Sequence, residues 1–135
     1  MSDFIIRKKV YYHDTDCGQV VYYANYLKYF EEARTEFLAQ KGINIKELQA
    51  SGVLFAVRET KVKYKNPARY GESLDIFTRL SCIKNVTLEF LQYVKRETTV
   101  LVEADTQLVC INREFRPQSI PGHILFLLKT CPEDK

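Results

Sequence analysis

The spacing of apolar residues changes period several times along this chain, and each change predicts an element. Residues 4–13 are rich in β-branched and aromatic side chains and run into the turn signal Asp14-Thr15-Asp16-Cys17-Gly18, which predicts a strand and its end. From Asn25 to Lys41 the apolar positions Tyr26, Tyr29, Phe30, Ala33, Phe37 and Leu38 recur at helical spacing, and Gly42 is a natural stop. Asn25 is the expected N-cap of that helix. Residues 43–51 predict a short helical turn ended by Gly52.

Four strand segments follow. Residues 53–65 are β-rich and stop before Pro67. Residues 73–83 alternate Leu74, Ile76, Thr78, Leu80 and Cys82 against Asp75, Phe77, Arg79 and Ser81. Residues 86–97 place Val86, Leu88, Phe90 and Val94 on one face, and residues 99–112 do the same for Val100, Val102, Ala104, Leu108 and Cys110. Lys84-Asn85 and the polar stretch 96–98 predict hairpin turns, hence an antiparallel sheet. Residues 124–128 fit a strand or a helix equally. One long helix and about five strands make an α+β domain.

Composition narrows the picture. A length of 135 residues predicts a single domain over 1–135, without repeats or a Gly/Ser/Pro-rich linker. The net charge of +3 is too small and dispersed for a nucleic-acid binder. Cys17, Cys82, Cys110 and Cys131 form no C-x-x-C pair, and His13 and His123 add no ligand spacing, so neither a metal nor a cofactor is expected. The N-terminal segment lacks the pattern of a signal peptide, no apolar run is long enough to span a bilayer, and the scattered cysteines point to a reduced compartment. The expectation is a cytoplasmic protein without a membrane span.

The chemistry lies in DTDCGQVVYYANYLKYFEEART, residues 14 to 35. It resembles the active-site motif of the 4-hydroxybenzoyl-CoA thioesterase family, in particular YbgC-type acyl-CoA thioesterases. The resemblance rests on Thr15-Asp16, Gly18, Val20-Val21, Tyr22, Tyr26, Glu31, Ala33, Arg34 and Thr35. It continues through FAVRETKVKYKNPARYGESLDI (residues 55 to 76) and, more weakly, IKNVTLEFLQYV and the last long strand, so it spans about residues 5–112. It implies the hot-dog fold, a curved antiparallel sheet wrapped around one central helix. It also implies hydrolysis of acyl-CoA, or of an acyl carrier protein thioester, by a homodimer or homotetramer with sites near the subunit contacts.

Residue chemistry supports this independently. Thioester hydrolysis needs a base or nucleophile at the carbonyl carbon and donors at its oxygen. Asp16 supplies a carboxylate between strand and helix, and the helix start after it offers unpaired N–H groups. By the resemblance, Asp16 is the catalytic residue and the backbone amide of Tyr23 polarises the carbonyl. Gly18, Val21, Tyr26, Arg69 and Lys84 are the candidate substrate-binding residues. Two positions depart from the family pattern. Tyr23 stands where YbgC-type relatives commonly carry His, which removes a group titrating near neutrality. Gln19 stands where a second Gly is usual, which makes the turn less permissive or aims an amide at substrate.

Other residues carry plainer readings. Asp16 alone would pass for a turn residue; the surrounding motif makes it a catalyst. Asp14 is expected to bond turn amides. Cys17 lacks an evident activating His. Glu31 and Arg34 are spaced for an ion pair, with Glu31 and Glu32 as minor candidates for a helix-borne catalytic carboxylate. Tyr23 is split between packing and lining an acyl pocket. Lys61, Lys63 and Lys65 read as a solvated strand face, with phosphate binding as the alternative. The competing functions are enoyl-thioester hydration, which needs a paired His and carboxylate, and a non-catalytic acyl-thioester binding module.

Overall fold

A computed structural model describes residues 4–129. It contains β1 (Phe4–Lys9), a single 3-10 turn at Tyr12–Asp14, α1 (Asn25–Gln40) and α2 (Ile45–Ala50). Then come β2 (Leu54–Tyr64), β3 (Ser73–Ile83), β4 (Thr87–Arg96), β5 (Thr99–Ile111) and α3 (Gly122–Lys129). The five strands form one antiparallel sheet in the order β1-β3-β4-β5-β2, with α1 against its inner face. The hot-dog expectation therefore holds. Cys131 lies outside the described residues.

Glycines end both early helices at the expected places. Gly42 and Gly52 take φ +85° and +88°, a region that costs a Cβ-bearing residue about 1–2 kcal/mol. Each lets the next residue fold back, Ile43 N–H to the Leu38 carbonyl and Val53 N–H to that of Leu48. The ambiguous segment 124–128 is helical, entered through Pro121.

The periodic face of α1 is buried as predicted: Tyr26, Tyr29, Phe30, Ala33, Phe37 and Leu38. They meet an inner sheet face built from Leu74 and Ile76, Leu88, Phe90 and Val94, and Val102, Ala104, Leu108 and Cys110. Two bulges correct the predicted strand faces. Between Leu80 and Cys82 the register shifts, so Ile83 pairs with the inward Leu88 while Cys82 lies opposite Glu89 on the other face. Another shift opposite Val94/Lys95 pairs Val100 with Lys95 and leaves Leu101 fully buried instead. An inserted residue reverses side-chain parity, which strict alternation does not anticipate.

One polar bridge crosses the core. Gln92, 2% exposed on β4, donates to the Phe30 carbonyl (2.9 Å) and to Thr78 Oγ1 (3.0 Å). Its Oε1 accepts from Arg34 Nη1 at 3.0 Å. Arg34 is buried; desolvation lowers its pKa, and the negative charge of Glu31 opposes that shift. Arg34 thus hydrogen-bonds to the sheet, and Glu31 acts on it electrostatically. Gln92→Leu keeps the volume but removes the sheet's hydrogen bond to the buried Arg34 guanidinium. Thermal or urea unfolding of this variant is expected to show a loss of about 2–4 kcal/mol.

Candidate active site

Residues 15–21 form a small hairpin that presents Asp16. Thr15 bridges Val21, Asp16 N–H donates to the Val20 carbonyl (3.1 Å), and Gln19 N–H donates back to the Asp16 carbonyl (2.9 Å). The loop is Cys17-Gly18-Gln19, and Gln19 sits at φ +64°. A three-residue hairpin loop closing on a left-handed residue is the geometry in which glycine is normally chosen. Here glutamine occupies it, so the departure noted in the sequence is a strained backbone position. Gly18 has a different reason: a Cβ there would come within 3.2 Å of Asp16 Oδ1. Its amide instead donates to that oxygen at 2.8 Å. The carboxylate is exposed and held by one oxygen.

The same loop is fastened to the start of α1. The Asp14 carbonyl accepts from Tyr22 N–H (3.0 Å) and from Asn25 Nδ2 (2.8 Å). Asn25 is therefore not the N-cap; Ala24 holds that position without a side-chain cap. The Asn25 amide is spent on a residue eleven positions back. The Asp14 side chain, buried, accepts from Tyr11 N–H at 2.9 Å, the structural role expected for it. The N–H groups of Tyr23 and Ala24 fall at the helix start, where α1 itself supplies no acceptor. The Tyr22 phenol is raised from its ordinary value, first by hydrogen bonding to Tyr23 and last by the Asp16 charge.

Beside the helix start is a recess of about 250 Å³ lined by Val21, Tyr23, Tyr26, Tyr64, Lys65, Asn66 and Pro67. Tyr26 is buried and its hydroxyl accepts from Ala68 N–H at 3.2 Å; burial is the main cause raising its pKa. Arg69 is brought next to the loop through a bridge to Val20, while its own N–H goes to Glu72 Oε1 at 2.7 Å. Lys84 is not brought there. It sits in the β3–β4 turn, the far end of an 11-residue strand, roughly 30 Å from the Arg69 end at the usual rise per residue.

The other candidates separate in the same way. His13 stacks on Tyr11 (centroids 5.9 Å apart, planes within 7°) and approaches Asp14 at 3.6 Å. Glu32 is paired with Lys8 at 3.2 Å, and Glu31 lines a different recess of about 280 Å³ with Lys28 and Arg34. Lys65 pairs with Glu103 at 3.0 Å, and Lys61 and Lys63 stand opposite Asp105 and Glu103 in register, which fits a solvated charged face. Among the described residues no His/Cys/Asp/Glu cluster has the makings of a metal site. Sequence reading missed Tyr64, whose hydroxyl donates to the Tyr23 carbonyl at 3.2 Å; strand alternation shows its face but not its partner.

A family profile described as the thioesterase-like superfamily matches residues 10–128 of the chain. The chain belongs to that superfamily. It is 39% identical over 119 residues to the acyl-CoA thioester hydrolase YbgC of Escherichia coli, covering 87% of this chain and 89% of the relative. It is 33% identical over 127 residues to the acyl-CoA thioesterase YbgC of Haemophilus influenzae, covering 91% and 92%. Among solved structures, a probable thioesterase from Bartonella henselae superposes with a TM-score of 0.85 at 34% identity, covering 89% of this chain and all of the other. Family and fold thus agree with the motif, and the protein is a thioesterase of the YbgC type.

The strain at Gln19 makes this thioesterase's loop testable. Gln19→Gly removes about 1–2 kcal/mol of left-handed strain against a smaller entropic cost, so chemical denaturation should show a net gain of about 0.5–1 kcal/mol. Gly18→Ala should instead lower turnover with the melting point little changed, because the new methyl group displaces the Asp16 carboxylate.

Proposed function

We propose that the protein hydrolyses acyl-CoA thioesters to CoA and a carboxylic acid, with Asp16 as base or nucleophile and the Tyr23 backbone amide polarising the carbonyl. The observation that supports this reading is the tie through the Asp14 carbonyl, which fastens the segment leading into the exposed Asp16 to the start of α1. In the base route Asp16 takes a proton from water as the water oxygen bonds to the carbonyl carbon. In the nucleophile route the carboxylate oxygen forms that bond, and water later cleaves the anhydride. Both put negative charge on the carbonyl oxygen, and the C–S bond then breaks to release CoA. The positive end of α1 and its unpaired N–H groups suit that charge.

The names of the E. coli and H. influenzae relatives support acyl-CoA as substrate. Gly18 shapes the carboxylate, and Val21, Tyr23 and Tyr26 wall the recess where an acyl group would lie. Arg69 is near enough to meet an anionic part of CoA. Self-association completes the proposal. β2 is an edge strand, and Val57 on it and Leu27 on α1 are exposed around one recess. Antiparallel pairing of two β2 edges would bring the Lys84 end of one subunit toward the Asp16 end of the other, the arrangement in which Lys84 reaches a site. No helix among the described residues is long and apolar enough to cross a membrane.

Light scattering at micromolar concentration should report a dimer or larger species; a monomer with full thioesterase activity would overturn the assembly. Asp16→Asn should keep the melting curve and lower thiol release from a panel of acyl-CoAs by about a hundredfold to ten-thousandfold. Asp14→Asn should mainly lower stability. Wild-type rates in Asp16→Asn together with dead Glu31 or Glu32 variants would move the site to the helix.

A further inference from the structure

The inward row of β2 runs Thr60, Val62, Tyr64. Thr60 bonds Thr106 (2.7 Å), Val62 packs on the core, and Tyr64 ends the row against the start of α1. Its ring stands edge-on to Tyr23 (6.1 Å between centroids) and tilted against Tyr26 (5.8 Å). Two rings thus hold a third whose hydroxyl donates to the Tyr23 carbonyl at 3.2 Å. That carbonyl lies one residue before the N-cap Ala24 and also accepts a long three-residue bond from the Tyr26 N–H at 3.4 Å. Tyr64 therefore supplies, from a different element, a second and shorter bond to the carbonyl at the entrance to the helix.

We infer that Tyr64 is a positioning residue for the thioesterase reaction, fixing the helix-start peptides so that their N–H groups meet the substrate carbonyl oxygen. The inference rests on the proposed role of Asp16 and the Tyr23 amide. A bond to a peptide carbonyl polarises the N–H of the same unit, here that of Ala24, and orients residue 23 as a whole. Preorganised donors act on charge that develops in the transition state rather than on substrate binding, so the effect belongs in kcat. Burial first, and then Tyr23, raise the Tyr64 phenol, so it remains a proton donor throughout the neutral range.

Tyr64→Phe keeps the ring and deletes the donor. Its kcat on acyl-CoAs should fall about three- to tenfold, the worth of one hydrogen bond, with KM unchanged and the melting temperature lower by a few degrees at most. In NMR spectra of the full chain the Ala24 amide proton should shift more than that of Ala33, well inside α1. Tyr64→Leu, which also removes the ring wall, should add a rise in KM. An unchanged kcat in Tyr64→Phe, an equal change in kcat and KM, or an unmoved Ala24 resonance would overturn the inference. If Asp16→Asn is dead while Tyr64→Phe is fully active, only the Tyr64 inference falls. If wild-type protein releases no thiol from any acyl-CoA, the proposed function falls and takes this one with it.

Discussion

Two hydrogen bonds converge on the carbonyl oxygen of Asp14, and the geometry of the site depends on them. Tyr22 N–H and the Asn25 side chain both end there, joining the segment before the Asp16 loop to the segment that opens α1. Without that junction the loop and the helix would be connected only through the hairpin of residues 15–21. The buried Asp14 side chain secures the other direction by accepting from Tyr11. One residue thereby links the end of the first strand segment, the acid loop and the helix. This explains why a second aspartate two positions before Asp16 has a structural use distinct from catalysis.

Around this junction the molecule spends polar groups sparingly and in fixed places. Gln92 carries the sheet's bond to the middle of α1 and satisfies Arg34 at the same time. Arg96, at the far end of the same strand, holds the Pro67 carbonyl (3.1 Å) and Glu72 (3.0 Å), and so steadies the segment that bounds the tyrosine recess. Tyr29 shows the cost of such packing. It is buried beneath the helix start, and burial, then the Asp14 carboxylate facing it, push its phenol up. A neutral phenol tolerates that position better than a charged group would.

The two departures from the family pattern have different physical weights. Gln19 has a local consequence, a left-handed backbone that glutamine adopts at a cost. Tyr23 changes the character of the recess. Its ring joins Tyr26 and Tyr64 in one aromatic wall and lies tilted against Tyr22 with centroids 4.7 Å apart. An imidazole there would bring a titratable nitrogen; the phenol brings apolar area with a polar tip. The backbone amide is the same with either side chain, so its proposed role does not depend on the exchange.

The sequence by itself determined the elements up to the ambiguous segment 124–128, the turn residues, the inner face of α1 and the loop carrying Asp16, because period, glycine position and motif spacing are local properties. It also carried the family, through a motif whose spacing continues unbroken into the helix. It misassigned Asn25 as a cap and placed Cys82 and Val100 on the inward rows. A cap is replaced whenever a better-placed acceptor exists elsewhere, and a bulge forms according to what the neighbouring strand requires. Only the tertiary structure decided that Tyr64 meets Tyr23, that Gln92 meets Arg34, and that Lys84 lies at the opposite end from Arg69. The two contacts join residues 41 and 58 positions apart, and no local spacing rule reaches across a sheet register; hydrogen bonding between strands and burial of the one long helix set them.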